Sequence, residues 1–107
     1  YKLEGAYFNE KVINGFVKVL EKMKKHSTFY FVMTPYHLSA FHKNNQKYSD
    51  YLVKAENKII EISRKLKIKT LGSFSPVQVG CSDNDFYDFM HPVPSCVDKL
   101  FTGLKNE

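Results

Sequence analysis

The sequence is poor in the residues and runs that mark several large classes of protein. Its 107 residues include five glycines, four prolines, two cysteines and one arginine. Apolar residues make up 43% and charged residues 25%, a globular balance that excludes long-range disorder and collagen-like repeats. The longest uninterrupted apolar run, residues 29–33, is far too short to cross a bilayer. A chain of this length has room for one small domain.

The chain also lacks an initiator methionine and a leader in which basic residues precede an apolar stretch. Its opening residues, 1–5, are typical of a segment inside a longer protein. We therefore expect residues 1–107 to be a single domain that forms part of a larger one, and the missing methionine leaves both alternatives open for a signal peptide, present upstream or absent.

Positive charge is concentrated in the first two thirds of the chain. Residues 1–28 hold six lysines against three glutamates, and residues 41–70 hold eight basic against three acidic residues, whereas residues 71–107 hold two lysines and five acids. A basic excess can indicate nucleic acid or an anionic membrane. Here the lysines fall between the apolar positions of predicted helices, and Arg64 is the only arginine. We interpret the charge as solvated helix faces and expect no nucleic-acid partner.

The two cysteines, Cys81 and Cys96, leave two alternatives open. A disulfide between them would stabilise the fold by roughly 3 kcal/mol and would favour an oxidising compartment. Two buried thiols would instead suit a cytosolic protein. Because the sequence has no C-x-x-C pair, we do not expect a zinc site.

Hydrophobic periodicity predicts a first helix and a first strand. Spacings of three and four predict a helix over residues 9–25 with Asn9 as its N-cap. Its predicted buried face comprises Phe8, Val12, Phe16, Val19, Leu20 and Met23. The β-prone run over residues 28–33 predicts a strand covered on both faces.

The pattern then repeats. A second helix is predicted over residues 48–66, with Ser49 as its cap, and a short second strand over residues 68–71. Ser95, with an acidic residue three positions later, predicts a capping box that opens a last helix through Leu104.

The order helix, strand, helix, strand, helix predicts an α/β fold with a parallel sheet. A strand–helix–strand unit implies parallel neighbours joined by a right-handed crossover. Two strands alone make a poor buried sheet. We therefore expect a missing N-terminal half or a second chain to complete the sheet.

One short motif near the C-terminus can carry chemistry. In Asp88-x-x-His91 a tight turn lets the carboxylate reach the imidazole Nδ1–H, which fixes the tautomer and leaves Nε2 free as a base. The alternative is a structural ion pair at the foot of the last helix. A metal site built from Asp88, His91 and His37 has suitable residue types but no diagnostic spacing, and we expect none.

The residues around this motif resemble a known family. Residues 72–76, 80–81 and 85–92 (D-F-Y-D-F-M-H-P) resemble the C-terminal catalytic block of the SGNH (GDSL-type) hydrolases. They are most similar to a bacterial SGNH-like group whose motif reads roughly D-F-Y-D-G-M-H-P. Residues 31–37 are also similar to that group's strand followed by S-P-Y-H. Phe89 stands where the group has glycine.

The resemblance implies a three-layer α/β/α sandwich, of the SGNH or flavodoxin-like type, and ester hydrolysis or acyl transfer by a Ser–His–Asp arrangement. By this carry-over His91 is the general base and Asp88 its orienter, and no cofactor is needed. The family's nucleophile, in a G-D-S-like turn, has no counterpart here. Ser73 and Ser82 are interpreted as loop serines. The serine would come from the missing half, so the chain alone should be inactive.

Two more residues are candidates for substrate binding. His37 follows the first strand and can line the pocket or simply bond to backbone, and Tyr36 can contact substrate or pack. The family analogy implies an acyl-ester substrate on cell-envelope carbohydrate, in the bacterial envelope. The alternative from another class is a non-enzymatic α/β interaction module, with basic helices that bind an acidic partner and a structural Asp88–His91 pair.

Overall fold

Helices and two short strands alternate along residues 9–102, the part of the chain that the computed structural model describes. The elements in chain order are α1 (Glu10–Lys24), β1 (Tyr30–Met33), α2 (Gln46–Leu66), β2 (Lys69–Gly72), α3 (Pro76–Val79) and α4 (Pro94–Leu100). Short 3-10 turns occupy Leu38–Phe41, Lys43–Asn45 and Asp83–Asp85. The mixed α/β organisation predicted from the sequence is confirmed.

The two strands form a parallel pair. Tyr30 lies opposite Lys69 and Met33 lies opposite Gly72. The 21-residue helix α2 makes the return crossing between them, as parallel strands require. The predicted strand–helix–strand unit is therefore present.

One apolar cluster joins the two long helices to the sheet. Its buried members are Val17 and Leu20 of α1, Leu66 of α2 and Ile68. Ile13, Phe29, Phe31 and Ile62 pack against it. The cluster therefore places α1 and α2 together on the Phe31 face of the sheet.

The predicted buried face of α1 is wrong. Asn9 caps the helix as predicted, since its side-chain oxygen accepts from the N–H groups of Lys11 and Val12 at 3.0 and 3.2 Å. Of the predicted face, however, only Leu20 is buried. The exposed members are Val12, Phe16, Val19 and Met23. Helix α1 instead buries the neighbouring face that contains Val17; the prediction for Phe8 falls outside the described residues.

Strand β1 is also less covered than predicted. Met33 is buried, but Tyr30 and Val32 stay exposed. Alternate residues of a strand point to opposite faces, so α1 and α2 cover the Phe31 face while the opposite face of β1 stays open. Across the ladder from Val32, Leu71 of β2 is buried.

Element boundaries differ from the predictions where short helices and prolines intervene. Helix α2 begins at Gln46, so Ser49 lies inside its first turn instead of capping it. Helix α4 begins at Pro94 after Val93, because proline suits the first helical position. Ser95 is therefore not an N-cap, and the prediction for Leu104 falls outside the described residues.

A disulfide ties the chain after α3 to α4. The Cα atoms of Cys81 and Cys96 lie 5.7 Å apart and their sulfurs are bonded. Lys99 of α4 adds a hydrogen bond of 2.7 Å to the Gly80 carbonyl. Among residues 9–102 no helix is both long and apolar enough to span a membrane.

Candidate active site around Asp88 and His91

A small closed turn presents the Asp88-x-x-His91 motif. Phe86 and Pro92 form an antiparallel bridge at its base. Above the bridge the Tyr87 N–H donates to the His91 carbonyl at 2.8 Å, and below it the Val93 N–H donates to the Asp85 carbonyl at 2.7 Å. These bonds bring the two ends of the turn together, so that Asp88 and His91 face each other across three positions.

The Asp88 carboxylate accepts three N–H groups. Its Oδ1 accepts from the backbone N–H of Met90 at 2.8 Å and of His91 at 3.0 Å. The His91 Nδ1 lies 2.7 Å from both carboxylate oxygens. Because an ionised carboxylate only accepts, Nδ1 carries the proton and the neutral ring keeps its lone pair on Nε2.

The same contacts lower the pKa of Asp88. The Met90 N–H contributes most, followed by the His91 side chain, because both stabilise the charged form. The pair is accessible: 57% of the Asp88 side chain and 67% of the His91 side chain are exposed. The site is thus an oriented imidazole with an ionised partner, open to solvent.

Backbone hydrogen bonds link this turn to the loops that follow both strands. The His37 N–H donates to the Phe89 carbonyl at 2.9 Å, and the Tyr36 N–H donates to the Phe74 carbonyl at 2.9 Å. Both loops leave the carboxyl ends of the parallel strands, the edge where α/β proteins build their sites. The turn that carries Asp88 and His91 therefore docks on that edge.

Aromatic rings fill the space beneath the turn. The Tyr36 ring packs edge-on against those of Tyr48, Phe74 and Phe89, with centroids 5.8 to 6.1 Å apart. Tyr48 and Phe89 also meet at 5.4 Å. Tyr36, a candidate for substrate contact, thus lies half-buried in this cluster. Phe89, which replaces the glycine of the resembling family, contributes its ring to the same cluster.

His37 lies beside the pair in a network of its own. Its Nδ1 accepts from the Ser39 N–H at 3.1 Å and lies 2.9 Å from the Ser39 hydroxyl. Because Nδ1 accepts, the ring proton sits on Nε2, which lies 3.7 Å from the Asp83 carboxylate. The ring also packs edge-on against Phe86.

An open depression of about 350 Å³ connects His37 with the motif. It is lined by His37, Ser39, Phe86, Tyr87, Asp88 and Phe89. The structure therefore brings His37 to the same surface as Asp88, whereas Tyr36 supports that surface from below. The depression offers aromatic walls with a hydroxyl, an imidazole and a carboxylate, which is a suitable lining for a polar ligand.

The two loop serines have structural partners. Ser73 is buried and its hydroxyl donates to Glu56 at 2.8 Å. Ser82 forms a capping box with Asp85, whose carboxylate accepts from the Ser82 N–H at 2.7 Å. This N–H contributes most to lowering the pKa of Asp85.

Three contributors to the site have no signal in the local sequence. Glu56 accepts from the Phe74 N–H as well as from Ser73 and so fixes the loop after β2. Ser39 and Asp83 hold the His37 ring. Each contact joins positions that are adjacent only after folding, or depends on a 3-10 turn, so spacing alone could not reveal it.

Residues 9–102 contain no group of three or more side chains arranged to hold a metal ion. Comparisons of the chain with models of known protein families, with curated proteins and with solved structures find no match.

Proposed function

We propose that this chain is the C-terminal part of an SGNH-type esterase or O-acyltransferase. The observation that supports the proposal is the 2.7 Å contact between His91 Nδ1 and the Asp88 carboxylate. It presents an accessible imidazole in the tautomer that a general base needs. In this role His91 is the base and Asp88 its orienter.

The reaction would use a serine from a part of the protein outside this sequence. As the serine oxygen attacks the acyl carbonyl, His91 Nε2 takes the hydroxyl proton, and Asp88 stabilises the imidazolium that forms. His91 then returns the proton to the leaving alcohol oxygen. Water completes hydrolysis by the same proton path, and an acceptor hydroxyl completes transfer.

The larger fold that we propose is a three-layer α/β/α sandwich, of which these residues form one part. The parallel β1–β2 pair and the position of the motif at the carboxyl edge support this proposal. On the Phe31 face α1 and α2 already form one helical layer.

The proposed substrate is an acyl ester carried on carbohydrate of the bacterial cell envelope. The depression beside Asp88 supports a hydroxyl-rich ligand, because Ser39, His37 and Tyr87 all line it. The Cys81–Cys96 disulfide supports an oxidising compartment. The reaction itself, cleavage or transfer of an acyl ester, is proposed from the motif resemblance.

Turnover of p-nitrophenyl acetate by the protein expressed from its own gene, with everything that precedes Tyr1, tests the proposal. We expect His91→Ala to lower kcat/KM by about 10²- to 10⁴-fold, the usual contribution of general-base catalysis. His42→Ala, which removes an exposed histidine, is the matched control and should leave the rate unchanged. Equal rates for the two variants would exclude the proposed base.

A second candidate function is an interaction module for an acidic partner. A depression of about 470 Å³ between the ends of the two long helices supports it, lined by Glu21, Lys24, Lys25, Lys65 and Leu66. Lys24 also donates to the Leu66 carbonyl, so its ammonium group caps the C-terminal end of α2. Tight, steeply salt-dependent binding of polyglutamate, lost in Lys25→Ala/Lys65→Ala, would favour this function.

A further inference from the structure

Exposed apolar side chains are concentrated on the first two described elements. Ten large apolar side chains of the described residues are exposed, and six of them lie on α1 and β1, with exposures between 40% and 68%. These six are Val12, Phe16, Val19, Met23, Tyr30 and Val32. Single exposed apolar residues are ordinary, but a contiguous group marks a contact surface.

The four residues on α1 form one stripe. Val12, Phe16, Val19 and Met23 are spaced four, three and four positions apart, which places them on one face of a helix. We call these four residues the α1 stripe. The face that packs into the core, with Ile13, Val17 and Leu20, is the adjacent one. Helix α1 thus has two apolar faces, and only one of them is covered.

Strand β1 has two uncovered surfaces as well. Within residues 9–102 it pairs only with β2, so its other edge is free. Its Tyr30 and Val32 side chains are exposed on the face away from α1 and α2. Parallel sheets occur almost only with both faces covered by helices. The open edge and the open face therefore indicate that further parallel strands, with their own crossover helices, complete the sheet.

Chain topology specifies where the next strand lies. Helix α1 leads into β1 through the short connection of residues 25–29, as the crossover helix of a strand–helix–strand unit does. It lies on the same face as α2, because both pack on the cluster that contains Phe31. Since such crossovers are right-handed, two successive helices on one face advance the strands in one direction. The strand before α1 therefore belongs on the free edge of β1.

We infer that α1 is the crossover helix of such a unit, whose first strand comes from the chain that precedes Asn9. This strand pairs in parallel with the free edge of β1, and its apolar side chains pack beneath the α1 stripe. This position of α1 adds detail to the proposed three-layer fold and is independent of the proposed reaction, because no property of Asp88 or His91 enters it.

Charge disfavours a second copy of the chain as the occupant. Lys11, Lys18 and Lys22 follow the stripe along its border away from the core, as 3.6 residues per turn requires. Two stripes packed antiparallel about a two-fold axis would bring two such lysine rows together, and like charges at close range repel. A strand from the same protein carries no such penalty.

Hydrogen exchange at single-amide resolution on the protein expressed from its own gene tests the inference. We expect all four amides of Tyr30–Met33 to be protected, because both edges of β1 are paired. The amides of α2 report independently that the protein is folded. Fast exchange at the alternate β1 amides that face away from β2, with α2 still protected, would overturn the inference.

Two matched variants separate stripe packing from general surface effects. Phe16→Asp should speed exchange of the outer β1 amides at least tenfold, whereas Val77→Asp, at an exposed position on α3, should leave them unchanged. If Phe16→Asp fails to fold, p-benzoylphenylalanine at position 19 replaces it, and the cross-link should map to a residue before Asn9 in the same chain.

The same cross-linking experiment can also give results that contradict the inference. A cross-link between isotopically distinct copies would assign the stripe to a dimer. A cross-link to phosphatidylglycerol vesicles would assign it to a membrane surface. The absence of any cross-link would show that nothing covers the α1 stripe and would also overturn the inference. His91→Ala should remove esterase activity and leave the exchange pattern intact, so the two proposals fail separately.

Discussion

Backbone groups of its own turn fix the position of the Asp88 carboxylate. Two backbone N–H groups, from Met90 and His91, donate to one of its carboxylate oxygens. The imidazole therefore docks on an acceptor whose position is already set. Because this acceptor is already in place, little free energy is spent on rearrangement when the His91 ring becomes charged.

The pH response of Asp88 follows from these bonds. The pKa of its carboxyl is lowered, first by the Met90 N–H and then by the His91 side chain. A lowered folded-state pKa contributes stability above the unfolded value, about 3.9, and this contribution disappears as the pH falls through the folded value. A carbon-13 titration should therefore show Asp88 titrating at a lower pH than an ordinary aspartate.

His91→Ala serves as the control for this titration. The pKa of Asp88 should rise in the variant yet stay below the ordinary aspartate value, since the Met90 N–H still donates. An ordinary value in the unmodified protein would contradict the described turn.

Gly72 is required where β2 ends. Its φ is +79°, and a Cβ there would meet the Met33 carbonyl oxygen at 2.3 Å and Leu100 Cδ2 at 2.8 Å. Gly72→Ala should cost roughly 2–4 kcal/mol of unfolding free energy, from backbone strain and overpacking together. Gly80 has a φ of +87° but open space around it. Gly80→Ala is therefore the matched control and should lower the unfolding free energy by only about 1–2 kcal/mol. Urea denaturation of both variants measures the difference, and equal costs would contradict the close packing at Gly72.

At the scale of the element, helix α1 shows what periodicity can and cannot predict. Its bounds and its Asn9 cap were predictable, because both depend on neighbours within a few positions. Which apolar face is buried was not, because two faces qualify and the choice depends on what packs there. Phe16 is exposed, whereas Val17, one position later, is buried in the cluster with Leu66 and Ile68.

Gly15 is a weak point of α1 that nothing in the packing requires. A Cβ at this position would meet no heavy atom within 4 Å. Gly15→Ala should stabilise the protein by about 0.5–1 kcal/mol, because alanine loses less backbone entropy in a helix. Thermal unfolding measures it, and a lower melting temperature would show that another part of the protein contacts this position.

The disulfide ties the turn that carries the motif to the last helix. Cys81 and Cys96 are 15 positions apart and bracket both Asp88 and His91. Cys81→Ala/Cys96→Ala should lower the unfolding free energy by roughly 3 kcal/mol, as expected for a loop of this length. Denaturation under non-reducing conditions measures the loss, and an unchanged midpoint would show that the cross-link contributes nothing.

At the scale of the whole molecule, three segments distant in sequence meet at one edge. The loop after β1 brings His37, the loop after β2 brings Phe74, and the turn before α4 brings Asp88 and His91. The local pair was predictable from a three-residue spacing. The His37–Asp83 contact and the aromatic support were not, because tertiary packing alone brings those residues together.

The proposed mechanism requires His91 to act on a serine located outside this sequence. A fluorophosphonate probe applied to the protein expressed from its own gene tests it most directly, because the probe marks the nucleophile and its rate reports the base. We predict a label on one serine that precedes Tyr1, slowed at least 100-fold by His91→Ala, a typical contribution of a general base, and unaffected by His42→Ala. A label on a serine within residues 1–107, or a labelling rate that is the same without His91, would contradict this mechanism.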